Sequence, residues 1–171
     1  MKKTKVQELA ALAGMEKLPV QELLSICFLQ AEQAIAFRAA WVLEHIEATY
    51  SDRFLPFFPE FVRRLPEQHN LSCQRHFTKI LMHFTSPKAR EAYQAAWAAI
   101  PDREAVVEVV FEWLIDPKTP VAIRVNCLDI LLNLREEFPW IRDELQAQIE
   151  FYLRDGSPAM QSRGRKILRQ V

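Results

Sequence analysis

The sequence predicts an all-α protein assembled from repeated helix pairs, on three observations. Only three glycines occur among 171 residues, whereas an all-β chain of this size needs many more glycine-containing turns. Three of the ten prolines directly follow a serine or threonine, the arrangement of a hydroxyl N-cap before a proline at the first helical position. Apolar and arginine positions also recur at intervals near forty residues, a typical length for one helix pair in a repeat protein.

Helix starts are marked along the chain by capping residues. Ser86-Pro87, Thr119-Pro120 and Ser157-Pro158 each place a hydroxyl before a proline, and Pro101-Asp102 offers an aspartate cap. With the apolar periodicity, these signals predict helices over 19–30, 33–49, 52–65, 70–84, 87–99, 102–115, 119–135, 139–154 and 158–170, with a further short helix over 4–13. The connections are only a few residues long, so neighbouring helices are expected to be antiparallel.

An internal repeat runs through this series of helices. Four arginines stand near the start of comparable helices, at spacings of 37, 49 and 39 residues: Arg38, Arg75, Arg124 and Arg163. An acid lies eight residues before the last three of them: Glu67, Asp116 and Asp155. Two apolar residues precede every arginine by fourteen and ten positions. Two helices per period indicate a helical solenoid, in which the arginines hold the repeats in register.

The segments DPKTPVAIRVNCL and DGSPAMQSRGRKI resemble HEAT and HEAT-like repeats, and more distantly armadillo repeats. This resemblance implies an all-α, right-handed α-α superhelix of about four helix-pair repeats, with the second helices lining the concave side. It also implies that Asp116 and Asp155 form a ladder with the repeat arginines. No linker divides the chain, so a single HEAT-like domain over 1–171 is expected. A repeat fold of this kind implies no particular chemistry.

Composition and motifs argue against an enzyme and against a general polyanion binder. The 22 Lys and Arg residues balance 22 Asp and Glu residues, so no excess positive charge favours nucleic acid. The sequence contains no GxxxxGK[ST], GxGxxG, HExxH or GxSxG motif. No catalytic residue and no cofactor is therefore predicted.

His69, His76 and His83 recur every seven residues, with Cys73 between the first two, and these are residue types that bind zinc or copper. On one straight helix His69 and His83 would lie about 21 Å apart, so they cannot share one ion. The favoured interpretation places Cys73, Phe77, Ile80, Leu81 and Phe84 on the core face, with His76 and His83 at its border. No metal is predicted, and chelators should leave folding unchanged. The three cysteines are widely spaced, which argues against a disulfide framework, and the absence of a long apolar segment favours a soluble cytoplasmic protein.

The helix over 33–49 is apolar on two faces. Its core face is predicted to contain Ile35, Ala39, Val42, Leu43, Ile46 and Tyr50. Phe37 and Trp41 lie on the opposite side, flanked by Arg38, Glu44 and His45. Packing of this second face between repeats is favoured, and the alternative is an exposed binding surface, because Trp and Arg are preferred hot-spot residues.

Aromatic and charged groups elsewhere receive structural interpretations. Trp97, Trp113 and Trp140 are expected in the core or between repeats. Glu104, Glu108 and Glu112 form an acidic stripe at i, i+4 spacing, expected to be a solvated face. The cluster Arg163, Arg165, Lys166 and Arg169 is expected to form a polar terminal surface, with a phosphate or nucleic-acid contact as the alternative.

These observations favour a non-enzymatic interaction module that binds a protein or peptide partner on its concave face. The candidate binding positions lie on the polar faces of the second helices: Arg38, Trp41, His45, Arg75, Arg124 and Arg163. One alternative is a DNA-binding or DNA-repair protein, like the HEAT-like DNA glycosylases that act on alkylated bases. That activity requires a basic groove, and the zero net charge argues against it. Another alternative is a small self-assembling structural protein.

Overall fold

The structure, a computed structural model, describes residues 2–170, and all of its regular elements are helical. The α-helices are α1 (Lys3–Gly14), α2 (Val20–Ile26), α3 (Gln33–Thr49), α4 (Ser51–Phe54), α5 (Phe58–Arg63), α6 (Leu71–Thr85), α7 (Glu91–Ala98), α8 (Glu104–Ile115), α9 (Val121–Leu134), α10 (Ile141–Asp155) and α11 (Pro158–Ile167). Short 3₁₀ turns cover Leu55–Phe57 and Leu65–Glu67. The predicted all-α class is confirmed for the described residues.

The helices follow the forty-residue repeat. Each of the four arginines lies within the first two turns of a second helix, namely α3, α6, α9 and α11. The first helices of these pairs are α2, the broken helix α4–α5, α8 and α10, whereas α1 and α7 are additional. The apolar residues fourteen positions before the arginines are all buried: Leu24, Phe61, Val110 and Ile149. The repeat pattern therefore marks the apolar contacts within each pair.

The chain divides into two compact units. The first runs to Ile80 and includes Ala98–Ile100, and the second comprises Leu81–Trp97 and continues from Pro101. The single domain over 1–171 stays a prediction. Residues 1 and 171 lie outside the described part of the chain.

In the first unit, four buried phenylalanines join α4, α5 and α6. The Phe54 and Phe61 ring centroids lie 5.6 Å apart, and those of Phe61 and Phe77 lie 4.7 Å apart. The helix predicted over 52–65 is interrupted between these rings. Pro56 and Pro59 each stand at the start of a short segment, because proline lacks the N–H needed inside a helix and clashes with the preceding turn.

The capping predictions are correct in part. The side chain of Thr119 does not cap α9, which has Pro120 at its cap position, whereas Ser157 Oγ accepts a hydrogen bond from the Met160 N–H (3.4 Å). Asp102 Oδ1 likewise accepts from the Ala105 N–H (3.1 Å). The helix predicted to start at Pro87 begins only at Glu91, because Ser86 Oγ accepts from the Lys88 N–H and closes a local turn instead.

Most core predictions hold, with two exceptions. Cys73, Phe77, Ile80, Leu81 and Phe84 of α6 are all buried. In α3 the predicted core residues Ala39, Val42, Leu43 and Ile46 are buried, and Tyr50 is half-buried. The prediction is wrong for Ile35, which is 46% exposed because it lies in the first turn of α3, at the edge of the packed face. The core alternative is also wrong for Trp140, which is 40% exposed, although its ring does pack between repeats, on Phe111 of α8. Trp97 and Trp113 are buried.

The second unit shows that the repeat arginines do not pair with the acids eight positions earlier. Arg163 on α11 forms its ion pair with Asp129 on α9. Arg124 donates from Nη2 to the main-chain oxygen of Asp116 (2.7 Å), because the Asp116 carboxylate turns back to accept from the Lys118 N–H (2.8 Å). The expected ladder of Asp116 and Asp155 with the repeat arginines is therefore wrong. Asp116 caps its own turn, and Arg163 pairs with Asp129 on another second helix.

Because Asp116 acts as a hydrogen-bond acceptor in its own turn, its charge should matter little. We expect Asp116→Ala to lower the free energy of unfolding by about 0.5–1 kcal/mol, the usual contribution of one hydrogen bond. Asp116→Asn keeps an acceptor oxygen and should unfold close to the wild-type midpoint in urea. Equal damage from both substitutions would instead indicate an ion pair.

Gly164 permits close packing of α11 against α10. A Cβ built at this glycine would lie 2.8 Å from Ile149 Cγ2. In an open helix, Gly→Ala is stabilising by about 0.5–1 kcal/mol. Here we expect Gly164→Ala to lower the free energy of unfolding by about 1–2 kcal/mol, because the methyl group overpacks a buried contact. In an Ile149→Ala background the same change should become neutral or stabilising, and an unchanged penalty in that double-mutant cycle would contradict the packing argument.

Candidate functional site

Three rings of the first unit stack to form a surface that we call the aromatic platform: Phe37 and Trp41 on α3 and His76 on α6. The ring centroids of Phe37 and Trp41 lie 6.2 Å apart, with 28° between their planes. Trp41 lies 6.3 Å from His76 at 17°, and Phe37 lies 5.4 Å from His76 at 38°. Phe37 and Trp41 are one helical turn apart, which places them on the same side of α3.

Glu44 connects the two helices of this platform. It follows Trp41 by three residues and accepts hydrogen bonds from His76 Nδ1 and from Lys79 Nζ, the latter at 2.9 Å. Burial alone would raise the pKa of Glu44, but the hydrogen bonds and positive charge of His76 and Lys79 outweigh it and hold that pKa below its ordinary value. The carboxylate is therefore ionised at neutral pH and joins α3 to α6.

His76 serves as a packing surface. Its side chain is buried, and its Nε2 atom is enclosed without a hydrogen-bond partner among residues 2–170. A general acid or base needs hydrogen-bond reach to its substrate, directly or through one water. The enclosed Nε2 and the occupied Nδ1 give His76 no such reach, so its contribution is the shape and rigidity of the platform.

Four of the six predicted binding residues lie in the first unit, on the helices of the platform. Arg38 is exposed, and Trp41 and His45 are half-buried on the same side of α3, at i, i+3 and i+7 spacing. Arg75 is exposed on α6, one turn before Lys79. Trp41 thus combines the two interpretations of the sequence: one part of its ring packs on a neighbouring helix, and another part faces solvent.

The other two predicted residues, Arg124 and Arg163, lie in the second unit and are half-buried. Arg124 contacts the Asp116 carbonyl, and Arg163 is paired with Asp129. Burial raises the pKa of Asp129, and the Arg163 charge offsets that effect only in part. Both arginines therefore have structural partners, in agreement with the register role that the repeat predicted for them.

Sequence reasoning placed His76 at the edge of the core and did not identify Lys79. The signal that could have revealed them is a spacing of one repeat between opposite charges. Glu44 precedes Lys79 by 35 residues, and Asp129 precedes Arg163 by 34. In both units an acid on one second helix meets a base on the next second helix.

The remaining reactive groups include three buried cysteines. Burial raises the pKa of the Cys73 thiol to about 12 and also raises the pKa of Cys27 and Cys127, so none of the three is a ready thiolate nucleophile. Within residues 2–170, no group of three or more His, Cys, Asp or Glu side chains could hold a metal ion. The chelator expectation stays a prediction. In the same part of the chain, no helix combines the length and apolar character needed to cross a bilayer.

Comparison with known proteins adds one family. No curated protein and no solved structure matches the chain. The HEAT repeat domain family matches residues 1–171. The helix pairs and the buried apolar residues fourteen positions before each arginine agree with that match. The chain therefore belongs to the HEAT repeat family.

Proposed function

We propose that this chain is a non-enzymatic, cytoplasmic interaction module that binds a protein or peptide partner through the polar side of α3 and α6. HEAT repeats are commonly used for protein interaction, which supports the general class. The observation that carries the proposal is the aromatic platform, a partly exposed Trp41 held in place from below and flanked by exposed Arg38 and Arg75. In HEAT-like stacks the second helices line the concave side, and we assign the binding face to that side.

Preorganisation makes this surface suited to binding. Trp41 is fixed by stacking on Phe37 and His76, and His76 is fixed by Glu44. Ordering a flexible side chain on binding costs about 0.5–1.5 kcal/mol, and a side chain that is already ordered avoids most of that cost. Tryptophan and arginine dominate binding hot spots, since they combine apolar area with directional hydrogen bonds.

The exposed charges indicate the character of the partner. Arg38 and Arg75 point from the two helices, and Lys79 is also partly exposed, whereas Glu44 lies deeper and is occupied by His76 and Lys79. The accessible charge around the platform is therefore positive. An acidic segment with one apolar side chain would complement it, with the apolar group on Trp41 and the acids on the arginines.

Replacement of the two exposed arginines by alanine should affect binding without affecting folding. We expect Arg38→Ala/Arg75→Ala to retain the wild-type melting temperature and to lose capture of a specific protein from native lysate, quantified by mass spectrometry. The matched control is Arg63→Ala, which removes another exposed arginine of the first unit, on α5. Identical capture by all three proteins would contradict the assigned face. Nuclease-sensitive recovery of nucleic acid that depends on Arg38 and Arg75 would support the DNA-binding alternative.

Trp41→Ala is a second test of the same face. Because Trp41 is half-buried, its loss should cost less than the roughly 3–5 kcal/mol of a fully buried tryptophan, and the protein should remain folded at room temperature. Partner capture should nevertheless be abolished, while Trp41→Phe retains part of it. A folded Trp41→Ala variant with full capture would remove the platform from the binding surface.

Removal of the Glu44 charge should weaken the support under the platform in a pH-dependent manner. The folded-state pKa of Glu44 is lowered, so its contribution is present above the unfolded-state value near 4.3 and is lost as the pH falls through the folded-state value. We expect Glu44→Gln to lower the free energy of unfolding by about 1–2 kcal/mol at pH 7. The difference from wild type should shrink below about pH 4. Glu22→Gln, at an exposed position of α2, is the control, and a Glu44 effect that persists unchanged to pH 3 would contradict the ionised-carboxylate argument.

A further inference from the structure

The outward side of α8 in the second unit carries a mixed apolar and acidic surface, which we call the α8 face. Its large side chains that are exposed or half-exposed are Glu104, Glu108, Phe111, Glu112 and Ile115, and α8 contains no basic residue. Ile115 is 54% exposed. The opposite side of the helix is buried, so these five residues form one continuous stripe open to solvent.

Trp140, at the start of α10, extends this surface. Its ring stacks on Phe111 with centroids 5.6 Å apart, and its Nε1 donates to Glu104 at 3.0 Å. Trp140 is thereby held in one orientation while 40% of the residue remains exposed. Phe151, which is 49% exposed, follows it by eleven residues on the same side of α10, about 16 Å along the helix.

The stability of α8 does not explain this composition. Glu108 and Glu112 are one turn apart, where like charges repel by a few tenths of a kcal/mol. Glu112 also lies in the last turn of α8, where the helix dipole disfavours negative charge. Exposed Trp140 and Ile115 add apolar surface in water. A partner that carries positive charge and an apolar stripe would remove all of these costs at once.

We propose that the α8 face binds a basic amphipathic helix. The apolar side of such a helix would cover Ile115, Trp140 and Phe111, and its Lys or Arg residues would lie against Glu108 and Glu112. The negative charge of the face opposes nucleic acid and anionic membranes, so charge complementarity selects a cationic protein segment. This surface and the aromatic platform lie in different units and carry opposite accessible charge, so the inference does not depend on the proposed function.

The test uses a fluorescein-labelled synthetic peptide of about 16 residues, long enough for four helical turns. Leucines at i, i+3, i+4 and i+7 spacing form one side and lysines form the other. A second peptide has glutamate in place of every lysine. Fluorescence anisotropy with the full chain should show binding of the lysine peptide at least about tenfold tighter than the glutamate peptide, and this preference should fall with added salt.

Matched variants locate the site. Ile115→Ser and Glu108→Lys/Glu112→Lys should each weaken binding of the lysine peptide by about tenfold or more. Their controls change other exposed residues: Leu29→Ser, and Glu22→Lys/Glu91→Lys, which has the same net charge as the charge-reversed variant. The controls, and Arg38→Ala/Arg75→Ala, should bind within about twofold of wild type.

Three results would overturn the proposal. The first is equal binding of the two peptides, and the second is unchanged binding by Ile115→Ser and by the charge-reversed variant. The third is a wild-type dimer in light scattering that Ile115→Ser converts to monomer, since a second copy of the chain would then occupy the face. Melting temperatures close to wild type in all variants make each of these readings independent of unfolding.

Discussion

This structure depends on one constraint. No helix can cover its own apolar surface, so that surface must be buried against other helices. The helix α8 shows it most directly: Val106, Val107, Val109, Val110 and Leu114 are buried on one side of twelve residues, an apolar surface that an isolated helix would expose to water. In the second unit α8 packs on α9, and α9 packs on both α10 and α11. The central helix of such a stack is apolar almost all round, and α9 accordingly has buried residues on every side.

Polar contacts between successive second helices then specify how the pairs align. Glu44 on α3 meets His76 and Lys79 on α6, and Asp129 on α9 meets Arg163 on α11. Glu44 and Asp129 are more buried than their partners Lys79 and Arg163. A buried charge that loses its partner is strongly destabilising, so these pairs favour the register in which each acid keeps its base. The opposite pKa directions of the two acids fit this view. Glu44 has two partners and a lowered pKa, whereas Asp129 has Arg163 and a raised pKa.

The same packing leaves two kinds of surface. On α3 and α6 the aromatic platform is fixed by internal contacts and surrounded by exposed cations. On α8 and α10 a stacked Phe111–Trp140 pair lies among carboxylates. In both places a partly exposed tryptophan is held in one orientation by stacking on a neighbouring ring. Their opposite charge is compatible with the zero net charge of the chain, because basic and acidic residues are concentrated on different surfaces.

The local properties of this protein could be predicted from its sequence, because they depend on short spacings. Glycine scarcity and capping residues predict helices, and the arginine period predicts where the second helices begin. Apolar periodicity correctly placed Cys73, Phe77 and Phe84 in the core of α6.

The tertiary structure decided which side chains, about one repeat apart in the sequence, come into contact. Arg163 could pair with Asp155 or Asp129, and only the packing of α11 beside α9 selects the second. Trp140 stands among apolar residues in the sequence, yet it lies at the edge of α10 and stays exposed, because the core side of that helix is occupied by Ile141 and Leu145. The aromatic platform likewise required α3 and α6 to be neighbours. Stacking and ion pairing act over a few ångströms in space, whereas the paired residues of α3 and α6 lie more than thirty positions apart in the chain.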